Sequence, residues 1–104
     1  MNVAVVASKN GVLIRLTDER WRHITLLHPI LANKQNQVLD TVKNPDYIFK
    51  GRAEELLAVS AISKSGYVVV VYKAEIIDGF IITAFETTNT RWLFKKEKIW
   101  SKRS

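Results

Sequence analysis

The sequence predicts an α+β fold: an N-terminal β-hairpin and two helices packed on one face of an antiparallel sheet. Three observations carry this reading. Asn10-Gly11 stands between two β-branched runs at residues 3–7 and 12–16, and Asn-Gly is a strong signal for a tight hairpin. Helical spacing governs residues 18–43, where Val38, Leu39 and Val42 share one side. Beyond residue 46 the pattern changes to short β-rich runs. Strands and helices in separate blocks argue for α+β and against a doubly wound parallel sheet.

Each element has a local cause. Thr17 precedes Asp18-Glu19, so a threonine caps a helix whose first turn is acidic, which suits the positive helix N-terminus. This first helix is expected over residues 18–28, ending near Pro29. A second is expected over 33–43, stopped by Asn44-Pro45-Asp46. Strands are expected at 47–49, 56–62, 67–72 and 80–87. Tyr67-Val68-Val69-Val70-Val71-Tyr72 is continuously apolar and suits a central strand covered on both faces. Ile76-Ile77 is read as its extension, and Asp78-Gly79 as the next hairpin turn. The segment 91–100 is compatible with either helix or strand.

With 104 residues, the chain is one domain on its length, residues 1–104. A chain of this size can bury enough apolar surface to fold without a staple. There are no cysteines, which excludes disulfides, zinc–thiolate sites and cysteine nucleophiles. Neither a basic, apolar leader nor an apolar run of membrane-spanning length is present, so a cytoplasmic location is expected.

The net charge is +6 and the pI about 9.8, which favours an anionic partner. Most of it lies in residues 91–104. There Arg91, Lys95, Lys96, Lys98, Lys102 and Arg103 face only Glu97, among Trp92, Phe94 and Trp100. Cations interleaved with aromatics suit phosphate contacts and base stacking. A last helix or strand with its lysines in water is the plainer reading, and an amphipathic membrane helix is a third.

The candidate chemical groups are few. On a helix, Trp21, Ile24, Leu27 and His28 share one face, and His23 lies at its border. A histidine at a border between core and solvent can exchange protons near neutral pH. His28 also reads as a structural histidine closing a helix. The two histidines diverge by roughly 140° on a helix and do not form a metal pair. No metal site and no cofactor are expected. Arg52 after Gly51 can clamp a phosphate bidentately, or simply pair with Glu54 or Glu55. Lys73 ends the apolar strand. In 80–87, strict alternation puts Phe80, Ile82, Ala84 and Glu86 on one face and Ile81, Thr83, Phe85 and Thr87 on the other. Thr83 and Thr87, followed by Arg91, can offer hydroxyls to phosphate oxygens, although threonine is also simply a good strand former.

Together, Glu19-Arg20-Trp21-x-His23-Ile24 with His28-Pro29, Asn44-Pro45-Asp46, and Gly79-Phe80-Ile81-Ile82-Thr83-Ala84-Phe85 resemble the phage-type nucleases of the barnase–EndoU–colicin–RelE (BECR) superfamily. The resemblance spans roughly residues 12–100. It implies a metal-independent endoribonuclease of toxin or effector type. The ribose 2′-OH would attack the adjacent phosphate and leave a 2′,3′-cyclic phosphate. It implies His23 as the catalytic histidine, Arg52 as the phosphate-stabilising cation, and Thr83 or Thr87 as the late-strand hydroxyl. His28, Lys73, Arg91 and Lys95 would bind substrate. RNA is the implied substrate, and an acidic antitoxin or immunity protein the implied partner. The rival expectation is a non-catalytic RNA- or protein-binding module with a basic surface.

Overall fold

The computed structural model describes residues 2–102, so Arg103 of the basic segment lies outside the described residues. The elements are β1 (Asn2–Ala7), β2 (Leu13–Thr17), α1 (Asp18–Leu27), a 3-10 turn (Pro29–Leu31), α2 (Gln35–Lys43), β3 (Tyr47–Lys50), β4 (Leu56–Ala61), β5 (Tyr67–Ala74), β6 (Asp78–Thr87), α3 (Arg91–Phe94) and β7 (Lys98–Ser101). The α+β class and the hairpin–helix–helix–meander order stand as expected.

One seven-stranded sheet runs in the order β1-β2-β6-β5-β4-β3-β7. Neighbours are antiparallel except β2 and β6, which are parallel. The sheet is therefore mostly rather than wholly antiparallel. The β2–β6 pairing covers only Leu13–Arg15 against Asp78–Phe80. Beyond it the two strands separate, and α1 packs against both.

Local chemistry explains the boundaries. Gly11 has φ +84°, a left-handed conformation that glycine adopts without Cβ strain, and it closes the first hairpin. The Thr17 hydroxyl accepts from the Arg20 N–H at 3.1 Å and caps α1. The His28 N–H bonds Ile24 O at 2.8 Å, and Pro29 then starts the 3-10 turn. Successive three-residue bonds, Leu31 N–H to His28 O and Lys34 N–H to Leu31 O, keep the chain in tight turns. These delay α2 from the expected residue 33 to Gln35. At the Asn-Pro-Asp stop, Asp46 Oδ2 accepts from Ala61 N–H at 2.8 Å and Asp46 O accepts from Lys102 N–H. One aspartate thus ties the start of β3 to β4 and to the end of β7.

The core has two parts, one on each side of the sheet. Ile24, Leu31, Val38 and Val42 pack onto Ile14, Leu16, Val70, Tyr72, Ile81 and Ala84. On the other face, Leu93 of α3 packs onto Phe49, Leu57, Val59 and Val69. Full burial of one leucine is worth about 1.5–3 kcal/mol, enough to seat a four-residue helix that could not hold itself. The expectation that the two helices share one face holds for α1 and α2; α3, in the segment compatible with either helix or strand, lies on the other face. Val68, Val69 and Val70 are fully buried, as a strand covered on both faces requires.

Two strand expectations need correction. Ile76 and Ile77 do not extend β5; they are 96% and 84% exposed in the turn closed by Glu75 N–H to Asp78 O. Gly79 is not a turn residue but lies inside β6, opposite Ala74 and beside Ile14. A Cβ there would meet Lys73 O at 2.1 Å, so glycine permits a close backbone approach. The strict alternation in β6 is also broken. Val71 pairs with Thr83 but Tyr72 with Ile81, leaving Ile82 as an extra residue. This bulge turns Ile81 to the same buried side as Ala84, and puts Phe80 on the side of Thr83, Phe85 and Thr87.

Candidate functional site

On the face opposite α1 and α2, β5 and β6 present four rows: Lys73 with Phe80, Val71 with Thr83, Val69 with Phe85, and Tyr67 with Thr87. α3 covers the part of this face nearer β3 and β4. Past Phe80, β6 has no strand on its β2 side. There the end of α1 delivers His28, whose ring centroid lies 6.0 Å from that of Phe85, tilted by 41°. On Phe85, Trp92 of α3 stacks at 5.8 Å. A half-buried histidine is thus held in a ring cluster, with Thr83 and Thr87 two residues to either side of its Phe85 support.

Arg91 and Lys95 bracket α3, and both are exposed. The Arg91 N–H is held by Asn89 Oδ1 at 3.2 Å. His28, Thr83, Thr87 and Arg91 therefore belong to elements that meet around Phe85 and Trp92. Within this group Thr87 already has work: its hydroxyl donates to Asn89 O at 3.0 Å and accepts from Asn89 N–H at 3.1 Å. That is a side-chain turn, which shapes the approach to α3.

The remaining candidates lie elsewhere. His23 is exposed on α1, not at the core border. The buried stripe of α1 is narrower than helical phase predicts, because Leu27 is 59% exposed. Lys73 stands six residues from Tyr67 along β5, roughly 20 Å from the Thr87 row at the rise of a strand. The Arg52 turn is at Lys73's end of the sheet, where Ala53, Glu54, Glu55 and Lys73 line a common hollow. Thr83 and Thr87 are themselves separated by about 13 Å on the same rise. Lys73 is one row from Thr83 but four residues, about 13 Å, from the Val69–Phe85 row on which His28 rests, so Arg52 and Lys73 stand apart from the His28 ring.

The Arg52 turn has its own electrostatics. Glu55 Oε1 accepts from the Ala53 N–H at 3.1 Å. Backbone N–H donors, first Glu55's own and then Ala53's, hold the Glu55 carboxyl below its ordinary value, with Lys96 adding a smaller pull. Glu55 is thus turned to its own loop, where backbone N–H groups, Arg52's among them, rather than the Arg52 guanidinium hold its carboxyl.

Sequence reasoning passed over a second basic hollow. Where β2 leaves β6, Arg15, Thr17, Arg20, Phe80 and Ile81 line a cleft, and Arg15 pairs with Asp78 at 2.9 Å. Its only signal was alternation in β2, which sends Arg15 away from the buried Ile14 and Leu16. Among the described residues no three His, Asp or Glu side chains gather closely enough to hold a metal ion. No helix of the described residues is long and apolar enough to cross a membrane. Comparison with protein-family models, with curated proteins and with solved structures gave no match.

Proposed function

We propose that this chain is a metal-independent endoribonuclease of the BECR type, cutting RNA by internal transfer. One observation supports this reading most: the His28 ring lies against Phe85, on which Trp92 also stacks, on the open side of β6 that carries Thr83 and leads to Arg91. The sequence resemblance and the net charge of +6 point the same way. The ribose 2′-OH loses its proton to a base and its oxygen forms a bond to phosphorus. The bond from phosphorus to the 5′-oxygen breaks, and that oxygen takes a proton from an acid. The products are a 2′,3′-cyclic phosphate and a 5′-OH. His28 is the proton-transfer group the geometry favours, while the resemblance favours His23. Arg91 and Lys95 supply positive charge for the phosphate, Thr83 a hydroxyl, and Phe85 with Trp92 a surface on which bases stack. A cytoplasmic location and an acidic inhibitor protein belong to the same proposal.

The test is incubation of the purified protein with labelled mixed-sequence RNA in EDTA, with product ends mapped. Cyclic-phosphate ends from wild type and their loss in His28→Ala or His23→Ala would support the reading. Intact RNA, or cleavage abolished by EDTA, would remove it.

A second reading, a non-catalytic interaction module, is favoured by Leu26, Leu27 and Ile30. All three are largely exposed beside His28, an apolar shoulder suited to a protein partner. Salt-dependent RNA binding without cleavage would select this reading.

A further inference from the structure

β1 and β7 are the two edges of the sheet, yet the sheet curls until the first hairpin meets the last strand. Lys9, in the β1–β2 turn, places its Nζ 5.2 Å from the centre of the Trp100 ring. Between these ends lies a cavity of about 200 Å³, lined by Lys9, Ile48, Leu56, Tyr72, Ile99 and Trp100 with Asn10 at its side. Its walls are mostly apolar, and among the described residues they carry no carboxylate. Tyr72 is 1% exposed, and its hydroxyl makes no hydrogen bond among the described residues. No fully buried side-chain polar atom there lacks a partner, so this oxygen is one that a small probe reaches, and the cavity is the opening beside it. The phenol is pushed up to about 12 by burial, which keeps it protonated and able to donate.

We infer that this cavity is a nucleotide site: it takes one nucleobase, with the Tyr72 hydroxyl donating to a base acceptor, Trp100 lying along the base, and Lys9 meeting the phosphate. Three features fix the ligand's chemistry. The volume is below the range of about 300–1,000 Å³ that takes drug-sized molecules, so a single flat ring enters and sugar and phosphate stay outside. An apolar slot with one hydroxyl donor in its wall suits a heteroaromatic ring that carries an acceptor. Among the described residues the one charge lining the cavity is the positive Lys9. Lys9 is exposed and rests on the indole, from which it can turn to an anion. The site is distinct from the His28 cluster, which lies on the opposite face of the sheet, and it needs no cleavage activity. The nucleotide is either free or one residue of an RNA strand.

Indole N–H resonances of the full chain, with Trp100 assigned by Trp100→Phe, would be followed during titration. The probes are each of the four nucleoside monophosphates and a 2′-O-methyl tetranucleotide, which cannot be cut by 2′-OH attack. The Trp100 signal should move with at least one probe. Tyr72→Phe keeps the ring and removes only the donor; it should fold normally and bind about tenfold more weakly. Lys9→Ala should weaken the nucleotide but not the corresponding nucleoside. Response to the oligonucleotide alone would identify an RNA subsite, and response to a mononucleotide alone a free-nucleotide site. A Trp100 signal that no probe moves, or wild-type affinity in Tyr72→Phe, would overturn the inference. Cleavage is not read at any point, so failure here and failure of the nuclease proposal are separate results.

Discussion

His28 and Trp92 sit on the same phenylalanine: the His28 ring lies 6.0 Å from Phe85 and the Trp92 ring 5.8 Å from it. A residue at the end of α1 and a residue of α3 are thereby linked through one strand position. The proton-transfer candidate consequently has a fixed support, whereas exposed His23 has no such ring contact among the described residues. Under the proposed mechanism His28→Ala should lower RNA cleavage at least about a hundredfold, the span of one acid–base role. His23→Ala should lower it less than about tenfold. Both should retain the wild-type circular dichroism, and single-turnover cleavage in EDTA measures the difference. The opposite order would return the catalytic role to His23.

Gly79 should tolerate no side chain. A Cβ would stand 2.1 Å from Lys73 O and 2.8 Å from Ile14 Cδ1, and the first of these is backbone in the neighbouring strand. Gly79→Ala should cost at least about 2 kcal/mol, toward the upper end for overpacking, measured as a lower urea midpoint. Gly11→Ala meets open space and fails only on its φ, so it should cost about 1 kcal/mol.

Removal of the α1 cap has a smaller and more local effect. Thr17→Ala deletes the acceptor for the Arg20 N–H and should cost about 1 kcal/mol. Thr17→Ser keeps the oxygen and should lose much less. Thermal unfolding of the three proteins ranks them.

The Arg52 turn should loosen in acid. The Glu55 carboxyl is held below its ordinary 4.5 by backbone N–H donors. A carboxyl depressed in the folded state contributes its stabilisation above 4.5 and loses it as pH falls through the lowered value. The Ala53 amide resonance should follow that titration in the wild type. In Glu55→Gln it should be flat over the same pH range.

Residues 1–50 were largely legible because their signals are local. Asn10-Gly11, the Thr17 cap and Asn44-Pro45 each act within a few residues, and each boundary fell within two residues of expectation. β6 was misread for a non-local reason. Its bulge at Ile82 and its glycine at 79 answer to Lys73, Ala74 and Ile14, none of which periodicity along β6 can reveal. The site was legible as residue types rather than as a place. His28, Thr83, Thr87 and Arg91 belong to elements that meet around Phe85 and Trp92, which shows only once α3 is known to lie on the far face. Arg52 and Lys73 stand at the other end of the sheet from the Phe85 row. The Lys9–Trp100 meeting depends on the curl of all seven strands, which no local pattern encodes.

The three-residue contact between β2 and β6 has a kinetic consequence. β3 to β6 join sequential neighbours through short turns, whereas Ile14 reaches Gly79 only by closing a loop of roughly 65 residues, an entropic cost that local pairing avoids. The meander should therefore form early and the hairpin should dock late. Amide exchange should separate two cooperative units, with Val68–Val70 protected longest and the β1–β2 amides released first. The cavity between Lys9 and Trp100 would open each time the first unit detaches, so a ligand held there would slow exchange in a hairpin it touches only at the turn.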